Sequence, residues 1–326
     1  MRSRDQILTL LRAAPQSYLS GEQISRALNL SRAAVWKQIE GLRAEGFSIE
    51  ARDARGYRLT GAPDLLDAAT LRRELDCRTL RGPLEVLPTT DSTNLQARLR
   101  AEAGAPEGTI VIADQQQSGK GRLGRFWASP AGVNLYCSVL LRPQMPVQQA
   151  PQLTFLSAVA VARTLAAVCD LQATVKWPND ILVGGAKIAG LLNEMDAETE
   201  RINYVVLGIG INLNMTAEQF PATLNYPATS VLLETGRTVR RHGFVRVLLE
   251  RLDRYYAEFL QHGFAPIRQR WESLCPIIGR RVRVADGSGG LTGIVIGLEP
   301  DGALRLQLDS GASERIVAGD VRLVNP

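Results

Sequence analysis

Between two apolar runs, residues 109–113 and 135–141, the chain carries Gly119-Lys120-Gly121-Arg122-Leu123-Gly124-Arg125-Phe126-Trp127, three glycines and three cations with no helical pattern behind them. Glycine lets backbone approach a ligand closely, and the cations select an anion as that ligand. Gly119, Gly121 and Gly124 spell G-x-G-x-x-G, but a dinucleotide turn must open a helix whose N-terminus holds the pyrophosphate. Here Phe-Trp-Ala-Ser-Pro-Ala-Gly and then a strand-like run follow Gly124, which excludes the doubly wound dinucleotide fold. Taken alone, the loop also reads as a basic surface loop.

At 326 residues the chain is long enough for two or three packed domains. No run approaches the ~18 uninterrupted apolar residues of a membrane span, and Met-Arg-Ser-Arg-Asp leads into an amphipathic pattern without a signal-peptide core, so a cytoplasmic protein without a membrane partner is expected. Cys77, Cys137, Cys169 and Cys275 form no C-x-x-C pair and sit mostly in apolar runs, as buried free thiols do. With only His242 and His262, a zinc site or a Ser-His-Asp triad has almost no raw material. The net charge of +5 is uneven: residues 1–62 hold ten Lys/Arg against six Asp/Glu. The basic end is the nucleic-acid candidate.

In that end, Ile7, Leu8, Leu10 and Leu11 keep helical spacing, and Ser20-Gly21-Glu22-Gln23 reads as a capping box before a second helix. A third helix capped by Ser31 carries Val35, Ile39 and Leu42 inward, which turns Arg32, Ala33, Trp36 and Lys37 outward. Residues 47–60 alternate as a hairpin turned at Asp53-Ala54-Arg55-Gly56, with Arg52, Arg55 and Arg58 near its tip. Three helices and a basic hairpin make a winged helix-turn-helix, whose outward helix face enters the major groove while flanking cations hold phosphates. A protein-interaction domain of the same shape is the alternative, and Trp36 on the reading face fits either partner.

Gly61-Ala62-Pro63 reads as a linker, giving expected domains 1–62, 63–275 and 276–326. The middle one alternates helices (65–75, 153–168, 245–274, and one capped by Asp91 or Ser92) with strands (84–87, 109–113, 135–141, 174–177, 204–213), and Gly184-Gly185 turns a hairpin whose second arm carries Lys187. That order fits an α+β fold, a mixed sheet with helices on one side. After Pro276, short alternating strands with Asp-Gly, Pro-Asp-Gly and Ser-Gly turns indicate a small SH3-like β-barrel.

Around the glycine-rich loop stand Asp91-Ser92-Thr93-Asn94, Val175-Lys176-Trp177-Pro178-Asn179-Asp180, Gly185-Ala186-Lys187-Ile188-Ala189-Gly190 and Leu207-Gly208-Ile209-Gly210-Ile211-Asn212. In this order and spacing the chain resembles the biotin protein ligases over essentially its whole length, and its N-terminal segment resembles that of the bifunctional members that also repress transcription. The resemblance implies a sheet related to class II aminoacyl-tRNA synthetases, formation of biotinoyl-5'-AMP from biotin and MgATP, and transfer of biotin to a lysine of the biotin carboxyl carrier protein of acetyl-CoA carboxylase. It also implies operator DNA as a partner and a homodimer when loaded with the adenylate.

By the same resemblance Ser92, Thr93, Asn94, Gln116, Lys120, Gly121, Arg122, Lys187, Gly190 and Gly210 surround biotin. Lys120, Arg122, Arg125, Trp127, Asn179, Lys187 and Asn212 fall to ATP. Lys187, Arg122 and Asp180 are the implied catalytic groups, and Asp180 the implied Mg2+ ligand. Position 120 is lysine where the family loop reads Gly-Arg-Gly-Arg, which keeps charge and loses the guanidinium's two-toothed grip. For Lys176 and Asn212 an exposed lysine and a strand-end amide explain the sequence nearly as well as a role in binding. Lys187 differs: on an apolar arm, a lysine is not buried without an anionic partner. Two alternatives remain, a lipoate or octanoate ligase on the same fold and a non-catalytic biotin-sensing repressor.

Overall fold

The computed structural model describes residues 3–44, 46–53, 55–61, 64–199, 201–224, 226–285 and 290–324. Two compact units divide the chain, Met1–Leu65 and Leu66–Pro326.

In the first unit, helices α1 (Ser3–Ala13), α2 (Gly21–Leu28) and α3 (Arg32–Ala44) precede an antiparallel hairpin of β1 (Ser48–Arg52) and β2 (Gly56–Gly61). The capping box forms as expected: Gln23 N–H donates to Ser20 Oγ at 3.1 Å and Ser20 N–H to Gln23 Oε1 at 2.7 Å. Ser31 Oγ accepts from Ala34 N–H at 3.1 Å and starts α3. Ile7, Leu11, Ile24, Val35, Ile39 and Leu42 are fully buried in one small core. Arg32, Ala33, Trp36 and Lys37 are left exposed on the opposite face of α3. Ala54 in the hairpin turn, Ala62 and Pro63 in the expected linker, and Asp286-Gly287 in a later turn lie outside the described residues.

The second unit contains α4 (Ala68–Glu74), β3 (Leu84–Thr90), α5 (Thr93–Glu102), β4 (Ile110–Gln116), β5 (Leu135–Leu141), α6 (Gln152–Cys169), β6 (Thr174–Lys176), β7 (Asp180–Val183), β8 (Ala186–Ala197) and β9 (Ile202–Ile211). After them come α7 (Val231–Thr235), α8 (Arg241–His262), α9 (Ala265–Leu274), β10 (Arg281–Ala285), β11 (Leu291–Leu298), β12 (Leu304–Gln307), β13 (Ser313–Ile316) and β14 (Asp320–Leu323). Seven strands form the central sheet in the order β3-β4-β5-β9-β8-β7-β6, antiparallel except where β3 runs parallel to β4.

One-sided helices were the expectation, and the sheet is covered on both faces. Ile110, Ile112, Cys137 and Val139 point toward α6 and α8, while Val111, Leu140, Tyr204 and Val206 pack with Ala97 and Ala101 of α5. Strands buried on both sides read as continuous apolar runs, so alternation could not reveal the second layer. Helix α6 is apolar and long enough to span a bilayer by composition, yet 72% of that stretch is buried inside this fold. Leu153, Leu156, Val159, Val161 and Leu165 are wholly buried there, each worth about 1.5–3 kcal/mol.

The last five strands make a second sheet, ordered β13-β12-β11-β10-β14. Its final strand, β14, was absent from the sequence expectation. Residue 276 marks a change of sheet within one compact unit, because Val282, Val295 and Leu304 share a continuous core with Phe155 and Trp271. Gly302 brings the two sheets together: Trp177 Nε1 donates to its carbonyl at 3.2 Å, and a Cβ there would stand 2.4 Å from the Phe155 ring.

Candidate active site

The glycine-rich loop leaves β4 and makes only one 3-10 turn, Arg122–Gly124, with Leu123 and Gly124 at φ 58° and 71°. It is pinned at its base, since Trp127 N–H donates to Gly119 O at 2.9 Å and Gly121 N–H to Arg125 O at 2.7 Å. Leu123 and Phe126 are thereby held at the mouth of a cavity of about 1010 Å³, at 84% and 68% exposure, and Lys120, Arg122 and Trp127 line it.

Every residue assigned above to biotin or ATP lines that same cavity, together with Lys176, Tyr226 and the edge of the second sheet from Glu314 to Asp320. Its floor is the Gly190–Gly210 pair of β8 and β9, which face each other across the ladder. These glycines were expected to let a ligand crowd the backbone; the indole of Trp127 occupies that space. A Cβ at Gly210 would lie 2.7 Å from the ring and one at Gly190 3.1 Å from it.

Lys187 Nζ stands 2.6 Å from Asp180 Oδ1, off the line of a formal hydrogen bond, and 5.4 Å from the Trp127 ring. The β7–β8 hairpin makes this pair: Gly184 and Gly185 take φ 56° and 84°, and the register sets Lys187 beside Asp180 on one face. The anionic partner demanded by a half-buried lysine thus comes from the chain itself. Lys176, at the end of β6, has its Nζ 4.1 Å from the Tyr226 ring centre and, among the described residues, no carboxylate at ion-pair distance, and burial lowers its pKa below the usual lysine value.

The polar wall is already internally bonded. Gln116 Oε1 accepts from Thr93 N–H (2.8 Å) and Oγ1 (3.1 Å), and Gln116 Nε2 donates to Ser129 Oγ (2.9 Å). Asn94 Nδ2 donates to Leu192 O (3.1 Å) and Glu194 Oε2 (2.7 Å), while its Oδ1 accepts from Ser138 (2.7 Å). Ser92 is the N-cap of α5 by backbone geometry but makes no side-chain cap; Asp91 accepts its N–H instead, at 2.6 Å.

Asn179 Nδ2 donates to Leu191 O at 2.6 Å, and buried Asn212 bridges Asn134 and the Thr229 carbonyl, a strand-end clasp. Arg125 pairs with Asp320 of β14 at the cavity rim, at 2.9 Å, and its hydrogen bond holds the Asp320 carboxyl below the usual range.

Sequence reasoning missed Ser138, Ser129, Glu194 and the Gly208 floor position, where a Cβ would meet Asn94 Oδ1 at 2.2 Å. A serine inside the wholly buried run of β5 was the available signal. The cysteines are free and buried as expected, burial raising Cys137 to about 12. Among the described residues no group of three His, Cys, Asp or Glu side chains could hold a metal. Asp180 stands at the cavity beside Lys187, with Glu314 and Asp320 at the rim of the second sheet, and one carboxylate next to the cations suits a magnesium ion carried largely by substrate phosphates.

A class II synthetase-like sheet, a loop of glycines and cations over a glycine floor, and a small β-sheet at the rim define a carboxylate-activating ligase. The chain belongs to the biotin/lipoate A/B protein ligase family, whose model matches residues 86–212, with an HTH domain at residues 3–58 and a biotin protein ligase C-terminal domain at residues 277–324. It is 39% identical over 325 residues to the bifunctional ligase/repressor BirA of Bacillus spizizenii, covering 99% of this chain and 100% of that protein. The Escherichia coli ligase/repressor BirA is 34% identical, over 93% of this chain and 92% of its own. A biotin protein ligase from Aquifex aeolicus, solved with biotin and ATP, superposes with a TM-score of 0.64 at 28% identity, over 74% of this chain and 99% of that one.

Proposed function

We propose that this chain activates biotin with ATP, transfers it to a lysine of the biotin carboxyl carrier protein of acetyl-CoA carboxylase, and represses transcription through its N-terminal unit. The ion pair of Lys187 with Asp180, set against the loop cations in one cavity, is the observation that carries the reading.

Attack of the biotin carboxylate on the α-phosphorus of MgATP breaks the bond to pyrophosphate, and the step needs positive charge near an anion more than it needs a base. Lys187 exchanges Asp180 for the carboxylate and α-phosphate; Lys120 and Arg122 cover them from the loop. Asp180, released by Lys187, would be the residue to hold a magnesium ion brought with the nucleotide, which would supply positive charge to the phosphates. In the second step the carrier lysine amine attacks the acyl carbon of biotinoyl-AMP, the bond to AMP breaks, and the amine loses its proton.

The helix-turn-helix favours a DNA-binding ligase over a lipoate or octanoate ligase. A dimer formed on loading with the adenylate would present two reading helices to paired half-sites, and the cytoplasm holds all the partners the reading requires. Pyrophosphate exchange into ATP tests the assignment, with biotin expected to support it and lipoate not. Exchange with lipoate alone overturns the substrate; exchange with neither leaves a sensing repressor.

A further inference from the structure

The wing of the N-terminal unit was expected to offer Arg52, Arg55 and Arg58 to DNA phosphates. Two of the three are engaged. Arg52 Nε donates to Glu50 Oε1 at 2.8 Å and Arg58 to Glu50 Oε2 at 2.7 Å, so one carboxylate bridges both guanidiniums. Both guanidiniums also lie over the Tyr18 ring, at 5.3 and 4.8 Å from its centre. Arg55 stays exposed beyond the cluster.

A carboxylate with two oxygens, each taken by one arginine, imitates a backbone phosphate, which arginine forks bind in the same manner. We propose that Glu50 is an internal stand-in for a DNA phosphate, holding Arg52 and Arg58 until a duplex displaces it, and so sets a low affinity for duplex of arbitrary sequence. The inference rests on the DNA-binding half of the proposed function. Phosphates must compete with Glu50 for the arginines, so contacts that a bare basic wing makes with any duplex are withheld until α3 has engaged its bases.

With the Tyr18 hydroxyl beside it and hydrogen bonds from Arg52 and Arg58, the Glu50 carboxyl is held down to about 2. It is therefore ionised throughout the neutral range. Phosphate or salt, and not a change of pH near neutrality, opens the clasp. Tyr18 gives the arginines a flat platform, so removing the charge of Glu50 does not scatter them.

The test is equilibrium binding of the full-length protein to a labelled mixed-sequence duplex of ~30 bp between about 50 and 200 mM KCl. Glu50→Gln keeps the shape and removes the charge. It should tighten binding on the order of tenfold at the lower salt, and steepen the slope of log K against log salt by about 1–2, one unit for each released arginine that takes a phosphate.

Glu50→Asp keeps the charge but is one methylene too short to bridge both arginines, and it should tighten binding by a smaller factor. Adding Arg52→Ala and Arg58→Ala to E50Q should erase the gain. Unchanged or weaker binding by E50Q, no gain with E50D, or a gain that survives loss of both arginines would each overturn the proposal. A parent protein that binds this duplex and an E50Q variant that binds no tighter sink this inference alone. A parent that fails to bind it, or any duplex, at the lowest salt sinks the DNA-binding reading with it.

Discussion

Lys187 in the ligase cavity and the arginine pair of the wing are cations held by a carboxylate of their own chain, and they differ in how far water reaches them. The Lys187 and Asp180 side chains are 25% and 22% exposed, under an indole and over a glycine floor, whereas in the wing Glu50 is 31% exposed and its two arginines differ, Arg58 at 29% and Arg52 at 53%, so the Arg52 side stands open to solvent. Charge–charge attraction grows as solvent is excluded, so the cavity pair is poised to trade one anion for another with a large consequence, and the open Arg52 side of the wing cluster with a smaller, salt-dependent one. The fold thus uses one device twice. On the function proposed above, deeper burial suits the cavity pair to catalysis, and the open Arg52 side suits the wing to tuning affinity.

The sharpest way to break the comparison is Lys187→Met, which keeps length and apolar contact and removes the charge. A cation near 4 Å from an anion, at an effective dielectric of ~20, contributes on the order of 4 kcal/mol, part of it expressed only as the α-phosphate becomes pentavalent. Single-turnover formation of biotinoyl-adenylate should fall by at least ~10²-fold. The same change strands Asp180, so K187M should also melt lower than the parent. Adding Asp180→Asn should recover stability without recovering adenylation. An adenylation rate equal to the parent's would make the charge at 187 structural.

A smaller effect comes from the floor. Gly208→Ala places a Cβ 2.2 Å from Asn94 Oδ1 and 2.8 Å from Leu192 O, which pushes Asn94 off Ser138, Leu192 and Glu194. Overpacking of this kind costs about 1–3 kcal/mol. Thermal melting should show the loss, and equilibrium dialysis a weaker hold on biotin. If the melt is unchanged, the Asn94 network is not what fixes that wall.

The pieces legible in the sequence were those carried by local rules: the capping box of α2, the inward stripe of α3, the Gly184-Gly185 hairpin and the run of motifs around the cavity. Lys187 was legible as a lysine that needs an anion, because the cost of burying a bare ammonium is readable from its apolar neighbours. That Asp180 would be the anion required the β7–β8 register. Position alone showed Arg52 and Arg58 as free cations, and it took the pairing of β1 with β2 to set Glu50 opposite Arg58. Helix α5 on the second face of the sheet, Ser138 beneath Asn94 and strand β14 beside Arg125 are all matters of which element lies next to which. No single stretch of chain records them.

The smallest expected effect concerns Lys176, a half-buried cavity cation that has no ion pair among the described residues, and it tests whether burial without a partner costs what the comparison requires. Burial is the first cause of its lowered pKa, opposed in part by Asp180 and Asp320. A lysine whose folded pKa lies below the ordinary value of 10.5 binds its proton less well folded than unfolded. The cost is therefore fully present below the folded pKa and is relieved as pH rises from there toward 10.5.

Lys176→Met removes that cost and also the contact with the Tyr226 ring, so the net gain at neutral pH should be no more than about 1 kcal/mol. Urea melts across the alkaline range check the sign: the advantage of K176M over the parent should shrink as pH climbs toward 10.5. An advantage that grows with pH would mean that the protonated lysine is stabilised where it stands. Nearby anions, and not solvent exclusion, would then govern the charges of this cavity.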